Sequence, residues 1–560
     1  MMKRRTSLVV LVATLAVISL TLLTTPAAAA TFIVTRFDDP PPGNCDPNDC
    51  SLREAVIAAN TAAGADIIQL SAGTYTLSIP GTAEDAAANG DLDVTDPLTI
   101  QGTGRDATII NAGGAATNEA HFEVMASLTM SMLTITGGAN TPGLDYDSVS
   151  GIGLRGTGTL TLTDVAITGN TTAATGCCSG ITGESGSTMT LTNVDITNNT
   201  SGSNCCAGIV ATSDITLTNV RINGNRSENC CVGVTANGTL NFTNVEIVDN
   251  FSADGCCAGI VASLDDPSTL TNVTVARNTA GGADFDCCAG VTTSGTLTLK
   301  NATVADNSTV DCCAGVWSSG TNSLNNVTVV RNVANSDNNN VGGDDDGSGV
   351  VHTGGTFTIQ NTLVHSNTVG TGAMGPDCFG TITSGGYNII GTTADCTFTP
   401  STGDQLGVNP LLGALADNGG FVPTVPIQKG SPAVNGGNPA VPGSGGSACE
   451  AADARGLARN CDIGAYELTF CRKVAVNRIG TTGNDSLRGT AGRDGMLGFG
   501  GKDALRGKGG KDGLCGGPGK DLLKGGAGKD ILDGGPGKDL CVGGPGRDKA
   551  RSCEKRKSIP

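Results

Sequence analysis

One segment recurs through the middle of the chain: Asn-Val-x-Ile-x-x-Asn, most often preceded by Leu-Thr-Leu-Thr. Eight copies superpose, opening on Asp164, Asn193, Asn219, Asn244, Asn272, Asn301, Asn326 and Asn361, with Asn170, Asn199, Asn225, Asn250, Asn278, Asn307, Asn332 and Asn367 six residues later. Their spacings are 29, 26, 25, 28, 29, 25 and 35 residues, a period that belongs to stacked units rather than to a single globular core. Within a copy, apolar and polar residues alternate, as in Leu160, Leu162, Val165 and Ile167, so the units are strands and not helices. The expected fold is all-β: a right-handed parallel β-helix in which each coil pairs with the next. The two Asn columns then sit at corners as amide ladders, each side chain bonding to its equivalent one coil on. With a rise of about 4.8 Å per coil, the repeats and the less regular coils around them form a rod on the order of 60 Å long. Residues 66–70, 74–79 and 97–110 continue the strand pattern towards the N-terminus.

An open β-helix end exposes unpaired strand edges, so a cap is expected. Ser51-Leu52-Arg53-Glu54 is a capping box, and Leu52, Ala55, Val56 and Ala59 give one apolar face to a short helix in front of the first strands. Cys45 and Cys50 are placed to close a small loop beside it. Residues 1–30 read as a secretory signal peptide, with Lys3, Arg4 and Arg5 before an apolar run and Ala28, Ala29 and Ala30 at its end. No later run is long enough for a transmembrane anchor, and 22 Cys suit an oxidising, extracellular or cell-surface location. Charge is unevenly divided: residues 31–470 hold 12 basic and 42 acidic side chains (net −30), whereas residues 471–560 hold 19 and 10 (net +9). The acidic body argues against nucleic acid as a partner, and the basic tail suits an anionic cell-wall polymer or extracellular glycan.

The run Cys50-Ser51-Leu52-Arg53-Glu54-Ala55 resembles the opening of the CSLREA-type secreted β-helix proteins. Asn409-Pro410-Leu411-Leu412-Gly413, Asp417-Asn418-Gly419-Gly420, Gly430-Ser431-Pro432-Ala433 and Cys461-Asp462-Ile463-Gly464-Ala465-Tyr466-Glu467 resemble the "choice-of-anchor Q" domain that ends many such bacterial proteins. That resemblance implies surface or extracellular β-helices with interchangeable C-terminal attachment devices and, mostly, no established activity. The chain divides into a cap and first coils (31–130), repeats with Cys-Cys pairs (131–400), the anchor-like segment (401–470), a linker (471–479), a second repeat array (480–551) and a basic tail (552–560). Where related repeats usually read Gly-Gly-Gly-Ile, this chain carries Cys177-Cys178, Cys205-Cys206, Cys230-Cys231, Cys256-Cys257, Cys287-Cys288 and Cys312-Cys313. Stacking sets their Cα atoms about 4.8 Å apart, within disulfide range. Cross-coil bridges are the main expectation; vicinal bridges and a sulfur-rich metal site without His are the alternatives. Cys378, Cys396, Cys449 and Cys461 are further disulfide candidates.

From Gly480 the period becomes nine residues, Gly-x-x-Gly-x-Asp-x-apolar-x. The Asp column is Asp485, Asp494, Asp503, Asp512, Asp521, Asp530, Asp539 and Asp548; the apolar column is Leu487, Met496, Leu505, Leu514, Leu523, Leu532, Cys541 and Ala550. The array resembles the haemolysin-type (RTX) repeat, which implies a parallel β-roll whose Asp residues and loop carbonyls hold Ca²⁺. Arg493, Lys502, Lys511, Lys520, Lys529, Lys538 and Arg547 precede the Asp in seven units and should weaken the ion, giving an affinity on the order of 10⁻⁴ to 10⁻³ M. The alternative is a metal-free roll held by Asp–Lys pairs.

One outward column aligns Asp195, Arg221 and Glu246, with its carboxylates about 9.6 Å apart, near the upper end for inverting glycoside hydrolysis. A second column, Asp249, Arg277, Asp306 and Arg331, alternates in sign with each coil, as charges that favour register do, and the same account covers the first column. His121, His352 and His365 form no pair or column. Asp344, Asp345 and Asp346 lie in a loop that suits a cation or plain solvation. Thr161, Thr163, Thr190, Thr192, Thr216 and Thr218 form a Thr-x-Thr ladder like that of ice-binding β-helices, interrupted at Asn241 and Lys300. Bacterial alginate epimerases also join a β-helix to calcium repeats, but their Asp-Pro-His-type motif is absent. The reading is a secreted or cell-surface structural or adhesive protein that binds calcium. The alternative is an extracellular polysaccharide lyase, hydrolase or epimerase.

Overall fold

The computed structural model describes residues 28–559 apart from 82–85, 114–120, 141–149, 173–178, 203–205, 230, 255–257, 265, 282–288, 311–313, 337–346 and 371–373. It is nearly all β, with parallel strands stacked coil on coil and one helix, Leu52–Thr61, among the described residues. Alternation in the repeat becomes a stacked core because every copy pairs in register with the next. Leu162, Leu191, Leu217, Phe242, Leu270, Leu299, Leu324 and Ile359 form one internal column. Ile167, Ile196, Ile222, Ile247, Val275, Val304, Val329 and Val364 form another.

Each coil bends where its first Asn or Asp stands. Asp164, Asn193, Asn219, Asn244, Asn272, Asn301, Asn326 and Asn361 all have φ between 49° and 56°, a left-handed conformation that Asn and Asp tolerate better than β-branched residues. Six residues on, the second Asn column is buried and runs as a directional ladder. The Asn199 amide oxygen accepts both the backbone N–H and the side-chain NH₂ of Asn170, at 3.1 Å each. The Asn199 NH₂ donates to Asn225 and to the Ile167 carbonyl. The pattern repeats through Asn250, Asn278, Asn307 and Asn332 to Asn367. A chain of amides that donates forward needs a final acceptor, and Asp377 supplies it at 2.9 Å.

The glycine that follows each Cys-Cys-Ser, Cys-Cys-Ala or Cys-Cys-Val is needed for close approach. A Cβ on Gly180, Gly208, Gly233, Gly259, Gly290 or Gly315 would lie 1.9–2.1 Å from a glycine carbonyl one coil on.

At the N-terminal end the helix covers the first coils. The Ser51 hydroxyl accepts the Glu54 N–H, and the Glu54 carboxylate accepts the Ser51 N–H at 2.8 Å. Arg53 is fully buried, paired with Asp39, and donates to the carbonyls of Ala87, Gly90 and Asp91, so the helix is pinned by charge as well as by apolar contact.

Residues 401–470 fold back along the later coils. Val425, Ile427, Ala433, Ile463, Tyr466 and Leu468 pack on Ala305, Val330, Leu363 and Ile389. The Asn301 NH₂ donates to the Ala452 carbonyl, Arg459 donates to Asn301, and the Asn325 NH₂ donates to the Ala448 carbonyl. The outward strand position changes accordingly, from Thr168, Thr197 and Asn223 to buried Val248, Ala276, Ala305 and Val330. Residues 471–479, read as a linker, are held on the C-terminal roll by a Cys471–Cys515 disulfide. The roll is two five-stranded parallel sheets around Met496, Leu505, Leu514, Leu523, Leu532 and Cys541. Its last strand, Lys555–Lys557, lies in the stretch read as a basic tail.

Replacing Asn250 by Ala strips the Asn225 N–H and NH₂ of their shared acceptor and the Ile222 carbonyl of a donor. A loss of about 3 kcal/mol is expected from stranding these buried groups, read as a lower urea midpoint. Thr216→Ser, on the outward face, is the control and should leave the midpoint within error.

Candidate metal centre

In the roll one coil is 18 residues, because Leu487, Leu505, Leu523 and Cys541 stack directly. Alternate Asp residues therefore fall in two columns: Asp485, Asp503, Asp521 and Asp539 precede one sheet, and Asp494, Asp512, Asp530 and Asp548 precede the other. The loops stack backbone against backbone. A Cβ on Gly519 would lie 1.6 Å from the Gly501 carbonyl oxygen, and one on Gly528 would lie 1.5 Å from that of Gly510.

Each Asp from Asp503 onward uses one carboxylate oxygen to accept the backbone N–H of the Asp one coil earlier, at 2.8–3.0 Å. At the end of one column Glu554 takes the same role towards Asp539 at 2.6 Å. The second oxygen of Asp503, Asp512, Asp521, Asp530, Asp539 and Asp548 has no hydrogen-bond partner, although these residues are only 0–4% exposed. Burial pushes Asp512 and Asp521 up to about 6 and also raises Asp503, Asp530 and Asp539, with neighbouring carboxylates adding to the effect. Among the described residues the tail's ion pair joins Arg472 to Asp533, and none of the Lys or Arg that precede the Asp column pairs with it. Asp–Lys pairing therefore does not neutralise the column. Half-satisfied buried carboxylates in a Gly-rich cradle, all oxygen donors, fit a hard cation such as Ca²⁺.

A family model of the RTX calcium-binding nonapeptide repeat, four copies long, matches residues 479–514 and again 516–550. The tail carries RTX calcium-binding repeats. Calcium is the ion that such repeats bind. No curated protein matches the chain in sequence. Among solved structures the chain is similar to the PL6 family alginate lyase AlyGC, with 9% identity and a TM-score of 0.27 over 93% of this chain and 72% of the lyase. A variant of that lyase gives a TM-score of 0.26 over the same shares.

Asp195, Arg221 and Glu246 stand side by side on successive coils. Arg221 lies 3.6 Å from Asp195 and 3.2 Å from Glu246, and Arg105, from an earlier coil, also pairs with Asp195. Beside them is a groove of about 310 Å³ that Arg277, Ala416, Asp417 and residues 420–423 also line, with Phe421 stacked under the Arg221 guanidinium at 4.3 Å. Burial raises the Glu246 carboxyl, against the pull of Arg221. The Phe421 contact joins stretches 200 positions apart, and no local pattern announces it. In the second column Arg277 chelates Asp249 and Arg331 chelates Asp306.

His121 is buried with its two ring nitrogens 2.8 Å from the carbonyls of Ser150 and Thr136, a structural role; burial lowers its pKa while the two carbonyls pull it up. His352 bonds to the Thr381 carbonyl and His365 to Ser366, so the three do not converge. Disulfides join Cys45 to Cys50, Cys378 to Cys396, Cys449 to Cys461 and Cys541 to Cys553. Of the Cys-Cys pairs only Cys206 and Cys231 fall within the described residues; the other ten, and Asp344 to Asp346, lie outside them. Among the described residues no helix is long and apolar enough to cross a membrane.

The raised carboxyls bind more protons in the folded than in the unfolded chain between about pH 4 and about pH 6, so calcium-free stability falls as pH rises through that window. By calorimetry, the chelated protein should show a higher roll transition at pH 5 than at pH 7.5, and millimolar calcium should reverse the order. D512N/D521N should flatten the calcium-free pH dependence. This comparison isolates the roll from Asp462, which burial also lifts to about 6.

Proposed function

We propose that this chain is an exported, cell-surface structural or adhesive β-helix whose C-terminal roll takes up calcium outside the cell along its two Asp columns, Asp485, Asp503, Asp521 and Asp539 beside Asp494, Asp512, Asp530 and Asp548, with the unpartnered oxygens from Asp503 to Asp548 as the ligands. The observation that carries the calcium reading is the set of buried carboxylate oxygens without partners from Asp503 to Asp548. Export rests on residues 1–30 as a signal peptide, of which residues 1–27 lie outside the described residues. The CSLREA-like opening and the anchor-like segment support the same location, and the domain limits follow from those motifs.

A scaffold role is supported by how the outward charges are spent. Asp195, Arg221 and Glu246 neutralise one another and Arg105, and the Asp249–Arg331 column pairs within itself. Opposite charges on adjacent coils favour register, which a rod-like stack needs at every step. The motif residues of the anchor-like segment also have a structural use. Arg455 is buried against Asp453, stacks over Tyr466 at 3.8 Å and donates to the carbonyls of Asn418, Glu467 and Val476. The competing enzyme reading draws on the raised Glu246 carboxyl beside the groove.

Calorimetric titration of the full-length protein should show calcium uptake in the range of about 10⁻⁴ to 10⁻³ M. A flat trace at millimolar calcium would defeat the proposal. Incubation with uronate-containing and neutral glycans should release no new reducing ends, unsaturated products or epimerised sugars. Turnover that disappears in E246Q or D195N would replace the scaffold reading with a polysaccharide-modifying one.

A further inference from the structure

The eight loops of the roll share one hexapeptide frame but differ at its second position. In the first two loops that residue is Thr. The Thr481 N–H and hydroxyl both donate to one oxygen of Asp485, at 2.6 and 3.0 Å, and Thr490 does the same to Asp494 at the same distances. Each Thr hydroxyl also accepts the N–H of Gly483 or Gly492 at 3.0 Å. The carboxylate oxygen that is orphaned elsewhere is therefore used inside these loops.

In the next six loops the second position is Phe499, Lys508, Gly517, Gly526, Gly535 or Gly544, with φ of 69°, 77°, 101°, 106°, 94° and 110°. A β-branched Thr is excluded from that left-handed region by its own side chain, which is why the Thr loops take another path. With φ positive, the N–H turns away from its Asp. Those of Gly517, Gly526 and Gly544 pair with carbonyls of the next coil, Gly534, Gly543 and Ser558. The Asp oxygen is then left buried without a donor in all six.

Resting on the calcium reading above, we infer that the roll has two classes of loop: Asp485 and Asp494 sit in Thr-closed, metal-independent turns, and calcium is taken only by the six loops from Asp503 to Asp548. The closed turns lie at the end of the roll that joins the body, where the Cys471–Cys515 disulfide also acts. They form a root whose stability does not depend on calcium, while the distal turns gain stability when the ion is present.

The test uses the full-length protein with calcium as the sole probe. Hydrogen–deuterium exchange should show the protection of residues 480–497 unchanged by chelator, and that of residues 516–548 falling when calcium is withdrawn. By calorimetry D485N/D494N should bind the wild-type number of ions, whereas D512N/D521N should bind fewer. T481G/T490G, which frees both loops to turn left-handed, should raise the number of ions bound, and a folding defect in the Asn variants does not touch this arm. Equal losses in the two Asn double variants, or protection of residues 480–497 that depends on calcium, would overturn the inference while leaving calcium binding intact. Absence of calcium uptake by the wild-type protein would instead remove the reading on which it rests.

Discussion

In a parallel solenoid every backbone donor and acceptor finds its partner one coil away, so whatever stands at a corner must work at each repeat of that corner. This constraint governs the molecule from Asn170 to Asn367. A primary amide both donates and accepts, so identical Asn side chains satisfy one another along the stack, and the buried corner needs no water. Because the ladder points one way, its last member needs a group that only accepts. Asp377 fills that place, and its burial raises its pKa although Asn367 donates to it twice.

The roll solves the same problem with a different side chain, and the difference decides its chemistry. A carboxylate accepts without donating, so an Asp column closes each preceding coil with one oxygen and leaves the other with nothing. An Asn ladder is complete in itself; an Asp ladder is a column of buried negative charge that calls for a cation. Thr481 and Thr490 remove that demand locally by supplying two donors each. One chain thus joins a self-sufficient solenoid to a roll whose carboxylates are left half-satisfied, and the Cys471–Cys515 disulfide ties the segment between them to the roll.

Periodicity made much of this legible. Alternation and the near-constant spacing of Asn identify stacked parallel strands, and the nine-residue Gly-Asp pattern identifies the roll, because a solenoid writes each contact into the sequence once per coil. The capping box at Ser51 is similarly local. Contacts made once were not legible. The return of residues 401–470 over the coils, Phe421 on Arg221, Arg105 on Asp195 and Glu554 at the end of an Asp column have no repeat to announce them. A trace of the first existed in the shift from Thr168, Thr197 and Asn223 to Val248, Ala276, Ala305 and Val330. An outward position that turns apolar for several coils has gained a cover.

By itself, then, the sequence determined the architecture: strand period, coil length, corner chemistry, the two ladders and the helix that closes one end all follow from residues repeated at fixed intervals. The tertiary structure decided which of those residues remain chemically unspent. All eight Asp of the roll look alike in the pattern, yet two are satisfied by Thr and six are not, because left-handed backbone at one loop position turns an N–H away from its own carboxylate. Likewise the alternating charges of Asp195, Arg221 and Glu246 could be read as matched across coils from sequence, and only folding adds Arg105 to the column and covers it in part with a segment from the far end of the β-helix.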